Sequence, residues 1–230
     1  MARISERRAG REDGGYTRVF GHKGLGALMS QVQATAIAAG NELEAMLAEQ
    51  IRLVTHEKLG KFLLGKLPSG VYVLNKRMIR NHLKAIIGST KEPDFVVVES
   101  HKHKVYAIEL KDGDQFDTKK ASGEVATIKM FSQHLHRMLL ENGIDYTVEI
   151  RFCFFNQNNR ASIVSGMKGE INQNQSMTGA EFCQLVNIDY TDVLKRRSRD
   201  ADENLKYFCG RLCAMPDIQA ILTENLKNSI

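Results

Sequence analysis

The chain has 230 residues, and its content of 43% hydrophobic and 26% charged residues is ordinary for a soluble globular protein. No apolar run approaches the ~18 residues that a membrane span requires, which excludes a membrane protein and a membrane partner. The formal charge of +5 is too mild to identify a nucleic-acid-binding protein by itself.

The chain begins with a polar segment over residues 1–22 that is rich in Gly and Arg and shows no periodicity. Such a segment cannot bury a core, so we predict a flexible basic arm. Residues 23–230 are expected to form a single domain, with a core over about 28–155 and a helical C-terminal part over about 156–230. The first element of this domain is an amphipathic helix, because apolar residues recur at helical spacing from Ala36 to Val54.

The central part of the chain alternates between strand-like and helical patterns. A short strand is predicted over Gly70–Leu74, and a helix over Met78–Ile87. A longer helix is predicted from about Lys120 to Glu141, because Asn142-Gly143 is a typical stop signal. The next strand, Tyr146–Phe155, has a wholly apolar second half, which indicates a buried strand.

Between the two central helices, two apolar runs rich in Val, Ile, Phe and Tyr predict a β-hairpin. A two-residue turn centred on His101-Lys102 would fix the register so that Asp94 faces Glu109. Glu109 and Lys111 are two residues apart and therefore leave the same face of their strand. Two carboxylates and one ammonium thus cluster at one end of the hairpin. The other face is expected to point toward a core through Phe95, Val97, Tyr106, Ile108 and Leu110.

The charges of this cluster are typical of a divalent metal site. Two adjacent carboxylates repel each other unless a cation joins them, and Mg²⁺ binds one or two carboxylates together with water and phosphate oxygens. We therefore expect Asp94 and Glu109 to hold Mg²⁺, while Lys111 orients the attacking water or neutralises charge on phosphorus. This is the chemistry of phosphodiester hydrolysis. The alternative is a structural salt-bridge cluster on a half-exposed sheet.

Pro93-Asp94 followed by Glu109-Leu110-Lys111 resembles the PD-(D/E)xK signature of the type II restriction endonucleases and related nucleases. The resemblance extends into the segments Lys111–Lys120, Met177–Cys183 and Asn204–Phe208. It implies an α/β (α+β) fold in which helices flank a mixed central β-sheet. It also implies Mg²⁺-dependent cleavage of a specific double-stranded DNA sequence by a homodimer.

The resemblance implies one more catalytic carboxylate on the first long helix, where related nucleases often carry a glutamate. The segment Gly40–Glu44 is similar to that feature, and we take Glu44 as the residue that binds metal or orients the water. Glu42 is the competing candidate, and Glu49 is a weaker one. The alternative for each is a solvent-facing side chain that helps solubility.

Sequence recognition needs side chains that reach base edges, and we expect them in the C-terminal part of the domain. Asn and Gln pair bidentately with adenine and Arg with guanine. The candidates for base contacts are Asn156, Gln157, Asn158, Asn159 and Arg160, and those for phosphate contacts are Lys119, Lys120, Lys195, Arg196 and Arg197. The alternative for each group is an ordinary surface loop or a solvated helix face.

Two features favour a cytoplasmic location. The first residues lack the apolar centre of a signal peptide. The four cysteines form no CxxC pair, and we expect them to be buried free thiols, as in a reducing compartment.

The sequence therefore predicts a Mg²⁺-dependent type II restriction endonuclease, a hydrolase that acts on phosphodiester bonds of duplex DNA. Two alternatives stay open. One is a structure-selective nuclease such as a junction resolvase, and the other is a DNA-binding module of the same fold that does not cleave.

Overall fold

The structure is a computed structural model that describes residues 2–8, 14–53, 55–87, 91–113 and 118–228. The chain forms two compact units. The first comprises Met1–Leu43 and Thr191–Ile230, and the second comprises Glu44–Tyr190. Both units draw on residues 23–230, which the sequence predicts to be a single domain.

A mixed β-sheet is the centre of the second unit. Within the described residues its five strands lie in the order β1-β2-β3-β4-β5. They are β1 (Val71–Asn75), β2 (Phe95–Glu99), β3 (Lys104–Lys111), β4 (Thr147–Phe154) and β5 (Ser176–Thr178). The pairs β1-β2 and β2-β3 are antiparallel, whereas β3-β4 and β4-β5 are parallel. The predicted fold class, a mixed sheet flanked by helices, is confirmed.

The helices of the described residues are α1 (Gly15–Phe20), α2 (Lys23–Gln50), α3 (His56–Leu63), α4 (Lys76–Met78), α5 (Lys84–Ile87), α6 (Thr118–Glu141), α7 (Arg160–Gly166), α8 (Gly179–Val186), α9 (Tyr190–Ser198), α10 (Ala201–Cys213) and α11 (Pro216–Asn228). A π-helical turn over Ile79–Leu83 joins α4 to α5. The helix predicted over Met78–Ile87 is therefore confirmed, with one wider turn inside it.

The register of the β2-β3 hairpin is the predicted one. Phe95 lies opposite Ile108, and Glu99 lies opposite Lys104. The connection is centred on His101-Lys102, as predicted, because the His103 backbone N–H donates to the Ser100 carbonyl at 3.3 Å. It is a four-residue loop and not the predicted two-residue turn, since Ser100–Lys102 form a 3₁₀ turn and His103 adopts the left-handed conformation at φ 52°. Ser100 is also bonded to the loop before β1, since its hydroxyl donates to the Pro68 carbonyl at 2.6 Å. The four-residue loop Ser100–His103 is centred on the same two residues as the predicted turn, so the strands keep the predicted register.

Both faces of the hairpin are buried, whereas the sequence predicted a core on one face only. On the predicted core face, Phe95 is fully buried and its ring lies 5.3 Å from that of Phe182 in α8. On the face that carries Asp94, the neighbouring Val96 belongs to a large core cluster that includes Val125 of α6. The charged end of the hairpin therefore lies beside a core that α6 helps to form.

The end of α6 follows from the stop signal in the sequence. Gly143 adopts the left-handed conformation at φ 71°, where a side chain would be strained. The Asn142 side-chain amide donates to the Met138 carbonyl at 2.7 Å and so satisfies one of the last carbonyls of the helix. The next strand begins at Thr147, close to its predicted start.

The N-terminal segment, predicted to be a flexible arm, contains a 3₁₀ turn over Ile4–Glu6 in addition to α1. Ile4 is buried in a small core with Leu28 and Met215 of the first unit. The Arg3 guanidinium lies 3.0 Å from the Asp200 carboxylate. The mobility of this segment stays a prediction.

The cysteines divide into two pairs by exposure. Cys153 and Cys183 are buried, as predicted. The prediction is wrong for Cys209 and Cys213, which are exposed because α10 buries none of its residues. Across the described part of the chain, no helix combines the length and the apolar composition needed to cross a membrane.

Candidate active site

Asp94, Glu109 and Lys111 converge at one end of the hairpin, as the register predicted. Asp94 directly precedes β2 and is 5% exposed, and Glu109 in β3 is 8% exposed. The Leu110 backbone N–H donates to Asp94 Oδ2 at 2.8 Å, which fixes the Asp94 carboxylate against β3. Lys111 Nζ donates to Glu109 Oε1 at 2.7 Å. The three charged groups therefore form one cluster.

The proximity of the two carboxylates shows in the protonation of Glu109. Burial, and then the negative charge of Asp94, raise the pKa of Glu109 to about 8, although Lys111 opposes this shift. A carboxyl with such a pKa binds a proton over most of the neutral range. A cation placed between Asp94 and Glu109 would favour release of that proton.

Glu124 of α6 is a fourth member of the cluster, and the sequence reasoning missed it. Its carboxylate lies 2.9 Å from Lys111 Nζ, so the ammonium bridges Glu109 and Glu124. Burial alone would lower the pKa of Lys111, but these two carboxylates raise it. A signal was present, because Glu124 interrupts the apolar stripe formed by Ala121, Val125 and Ile128 on the helix.

Lys76, the first residue of α4, is a fifth member that the sequence reasoning missed. Its Nζ lies 2.6 Å from Asp94 Oδ1. In the antiparallel pair of β1 and β2, Asn75 lies opposite Phe95. Lys76, which follows Asn75, therefore lies beside Asp94, which precedes Phe95. No sequence pattern predicts this contact, because a predicted strand does not reveal which strand it pairs with.

Glu44 of α2 approaches the same cluster, whereas its two competitors have other environments. Burial, and then the charge of Asp94, raise the pKa of Glu44, while Lys76 lowers it. Glu42 contacts Arg7 at 3.4 Å, and Glu49 is exposed. Among the three candidates on this helix, the structure therefore brings Glu44 into electrostatic contact with Asp94.

A cavity of about 190 Å³ opens at the cluster, several times the ~30 Å³ that a water molecule occupies in the liquid. Its lining is mostly charged and consists of Lys76, Lys91, Glu92, Glu109, Glu124, Thr127 and Ile128. Among the described residues, no three His, Cys, Asp or Glu side chains come together as a ready-made metal site. The cavity nevertheless has room for solvent or a small ligand beside Glu109.

Comparison with known proteins gives one full-length relative. The chain is 36% identical over 229 residues to the type II restriction enzyme HhaII of Haemophilus parahaemolyticus, across 95% of this chain and 97% of that protein. The chain belongs to the type II restriction endonucleases. It is accordingly a site-specific deoxyribonuclease, and neither the resolvase nor the non-cleaving module is favoured. No family model and no solved structure matches the chain.

The segment expected to read bases in this endonuclease is largely engaged in local structure. Asn156 donates to the Asp112 carbonyl at 2.6 Å, and Asn159 caps α7 by accepting from the Ser162 N–H at 2.8 Å. Arg160 forms an ion pair with Glu181 at 3.0 Å. Gln157 is half-buried and Asn158 is exposed. Base contacts by these five residues stay a prediction.

The basic clusters expected to bind phosphate differ in how far they are described. Lys119 and Lys120 are the second and third residues of α6, as predicted near a helix start, but their side chains lie outside the described part of the structure. Lys195, Arg196 and Arg197 form the last turn of α9. Their roles in the endonuclease stay predictions.

Proposed function

We propose that this restriction endonuclease hydrolyses DNA with Mg²⁺ held by Asp94 and Glu109 and assisted by Lys111. The observation that carries the proposal is the convergence of two buried carboxylates and one ammonium at one end of the hairpin. The three carboxylates of Asp94, Glu109 and Glu124 share the two ammoniums of Lys76 and Lys111, so the cluster holds more carboxylates than one-to-one structural pairing requires. Here burial and the charge of Asp94 raise the pKa of Glu109 to about 8, and this costs stability that a cation-binding role explains.

The available donors fit Mg²⁺. Asp94 and Glu109 supply carboxylate oxygens, with Glu44 as a supporting group, and the cavity beside Glu109 leaves room for water and phosphate oxygens. Mg²⁺ characteristically binds one or two carboxylates and completes its shell in this way, so a preformed three-ligand cluster is not required. When bound, the ion supplies an activated water and polarises a phosphoryl oxygen.

The protein's own groups would position the reactants. The Lys111 ammonium is held between Glu109 and Glu124 and is therefore fixed in direction. In that position it orients the attacking water or neutralises negative charge on phosphorus. Glu124 does not replace either hairpin carboxylate but positions the ammonium. Hydrolysis is proposed to leave a 5′-phosphate.

The proposed enzyme is a homodimer that acts on duplex DNA in the cytoplasm. A palindromic target is most simply met by two copies related by a two-fold axis. Lys119, Lys120 and the basic turn Lys195–Arg197 would contribute phosphate contacts, and the segment Asn156–Arg160 would contribute base contacts. Sedimentation velocity should give the mass of two chains, and a monomer at micromolar concentration with DNA present would contradict the dimer.

Plasmid digestion tests the proposed reaction. The purified protein should cut plasmid DNA into discrete fragments with Mg²⁺ and should not cut it with EDTA. Asp94→Asn and Glu109→Gln should each lower the rate at least about a hundredfold. The control is Glu57→Gln, which removes an exposed carboxylate that pairs with Lys61 at 2.6 Å. Undiminished cutting by both active-site variants would contradict the proposal, and cutting confined to cruciform DNA would favour a resolvase.

A further inference from the structure

Lys76 holds the Asp94 oxygen that a divalent ion would need. Its Nζ donates to Asp94 Oδ1 at 2.6 Å, and the other oxygen, Oδ2, accepts from the Leu110 backbone N–H at 2.8 Å. Both oxygens of Asp94 are thus occupied by donors. A main-chain donor in a strand stays in place, whereas a lysine side chain can move away.

The surroundings of Lys76 are those of a bound cation. Glu44, Asp94 and Glu109 all act on its charge. Burial alone would lower the pKa of Lys76, but the bond to Asp94 and these carboxylates raise it. The Lys76 side chain is 35% exposed, so the ammonium has a route from the cluster to solvent. Two cations cannot share this place, because an ammonium and a divalent ion at Asp94 would repel each other.

We propose that Lys76 is a built-in counter-ion, which neutralises Asp94 until a divalent ion displaces its ammonium. This inference rests on the proposed function, because it assumes that Asp94 is a metal ligand. The lysine lowers the affinity for free metal ions and stabilises the metal-free protein. Once displaced, the ammonium is available beside the cavity at Glu109, where it can pair with a phosphate instead.

The chain offers a matched control for this proposal. Lys84 of α5 forms a comparable ion pair, with its Nζ 3.1 Å from Glu92 and its side chain 31% exposed. Glu92 also contacts Arg80, so it keeps a partner when Lys84 is replaced. Lys84→Met therefore removes a similar charge from the same helical segment without touching a proposed metal ligand.

The test is calorimetric titration of the full chain with Ca²⁺ in the absence of DNA. We expect Lys76→Met to bind Ca²⁺ about five- to tenfold more tightly than the wild type, since a half-buried competing charge has been removed. Lys76→Arg keeps the charge and should stay near the wild-type affinity, as should Lys84→Met. In EDTA, Lys76→Met should unfold at a lower temperature than the wild type, and Ca²⁺ should restore much of the difference.

The outcomes separate this inference from the proposed function. If the wild type cuts plasmid with Mg²⁺ but Lys76→Met binds Ca²⁺ no more tightly than the wild type, the counter-ion role is wrong and the proposed function stands. An equal increase in Ca²⁺ affinity in Lys84→Met would also overturn the counter-ion role, because the effect would then reflect net charge alone. If neither the wild type nor Lys76→Met binds Ca²⁺ and neither cuts with Mg²⁺, both proposals fail.

Discussion

Replacement of Lys111 is expected to separate DNA binding from DNA cleavage. The Lys111 ammonium lies 2.7 Å from Glu109 and 2.9 Å from Glu124, two residues that line the cavity proposed to hold phosphate oxygens. Lys111→Ala should lower single-turnover cleavage at least about a hundredfold, because the charge that develops on phosphorus loses its partner. DNA affinity measured with Ca²⁺ should stay close to the wild-type value.

Glu124 gives a graded comparison for the same experiment. Glu124→Gln keeps the shape of the side chain but removes the charge that holds Lys111, so we expect a smaller loss of about tenfold. A Lys111→Ala protein that cuts at the wild-type rate would show that the lysine has no role in the reaction.

Glu109 should make the stability of the metal-free protein depend on pH. Its pKa in the folded protein is about 8, against an ordinary value of 4.5. A raised pKa means that the protonated form favours folding, so this contribution is complete below the unfolded value and is lost as the pH rises through about 8. In EDTA, urea unfolding should show the wild type losing more stability from pH ~6 to pH ~9 than Glu109→Gln loses. The same pH dependence in both proteins would contradict this account of Glu109.

At the residue scale, the sequence predicted the convergence of the candidate site residues that one hairpin supplies. Asp94, Glu109 and Lys111 are related by a single register, which the position of the turn at His101-Lys102 predicted. Lys76 and Glu124 reach the site from other elements, through a strand pairing and a helix packing that no local pattern encodes. A Glu inside the apolar stripe of α6 was the one available clue.

At the scale of elements, Gly179 shows how closely α8 approaches the end of β4. A Cβ built at Gly179 would lie 2.2 Å from the Phe155 carbonyl oxygen, which the hydroxyl of Tyr190 also contacts at 3.1 Å. Gly179→Ala should therefore destabilise the protein by about 1–3 kcal/mol.

Gly123 of α6 is the matched control, because a Cβ there meets no atom within 4 Å. Gly123→Ala should stabilise the protein by about 0.5–1 kcal/mol through the higher helix propensity of Ala. Urea unfolding measures both variants. Equal effects of the two substitutions would show that the close approach of α8 to β4 does not matter.

The hairpin also shows which features of an element a sequence can predict. Alternation and turn position determined the register of β2 and β3. The turn conformation depended on Ser100 bonding to Pro68 and Gly70, which are distant in sequence. The two faces of the hairpin are buried by different helices, one face by α6 and the other by α8. The residue pattern of the hairpin alone therefore indicated only one buried face.

At the scale of the whole molecule, the resemblance to the restriction endonucleases implied the mixed sheet and its flanking helices, but nothing in the sequence indicated the division into two units. The first unit combines residues from both ends of the chain, and such a pairing leaves no composition shift to detect. Exposed apolar side chains are frequent in this unit and include Val19, Ile37, Leu205, Ile221 and Leu226. Apolar spacing could not predict which residues of this unit are buried, because α10 and α11 bury none of their residues.

Titration with Mn²⁺, followed by electron paramagnetic resonance, tests most directly whether the charged end of the hairpin holds a metal ion. The wild type should bind Mn²⁺, and both Asp94→Asn and Glu109→Gln should bind it at least about tenfold more weakly, since each loses one of the two proposed ligands. Glu57→Gln should match the wild type. Wild-type affinity in both active-site variants would contradict the assignment of Asp94 and Glu109 as the metal ligands.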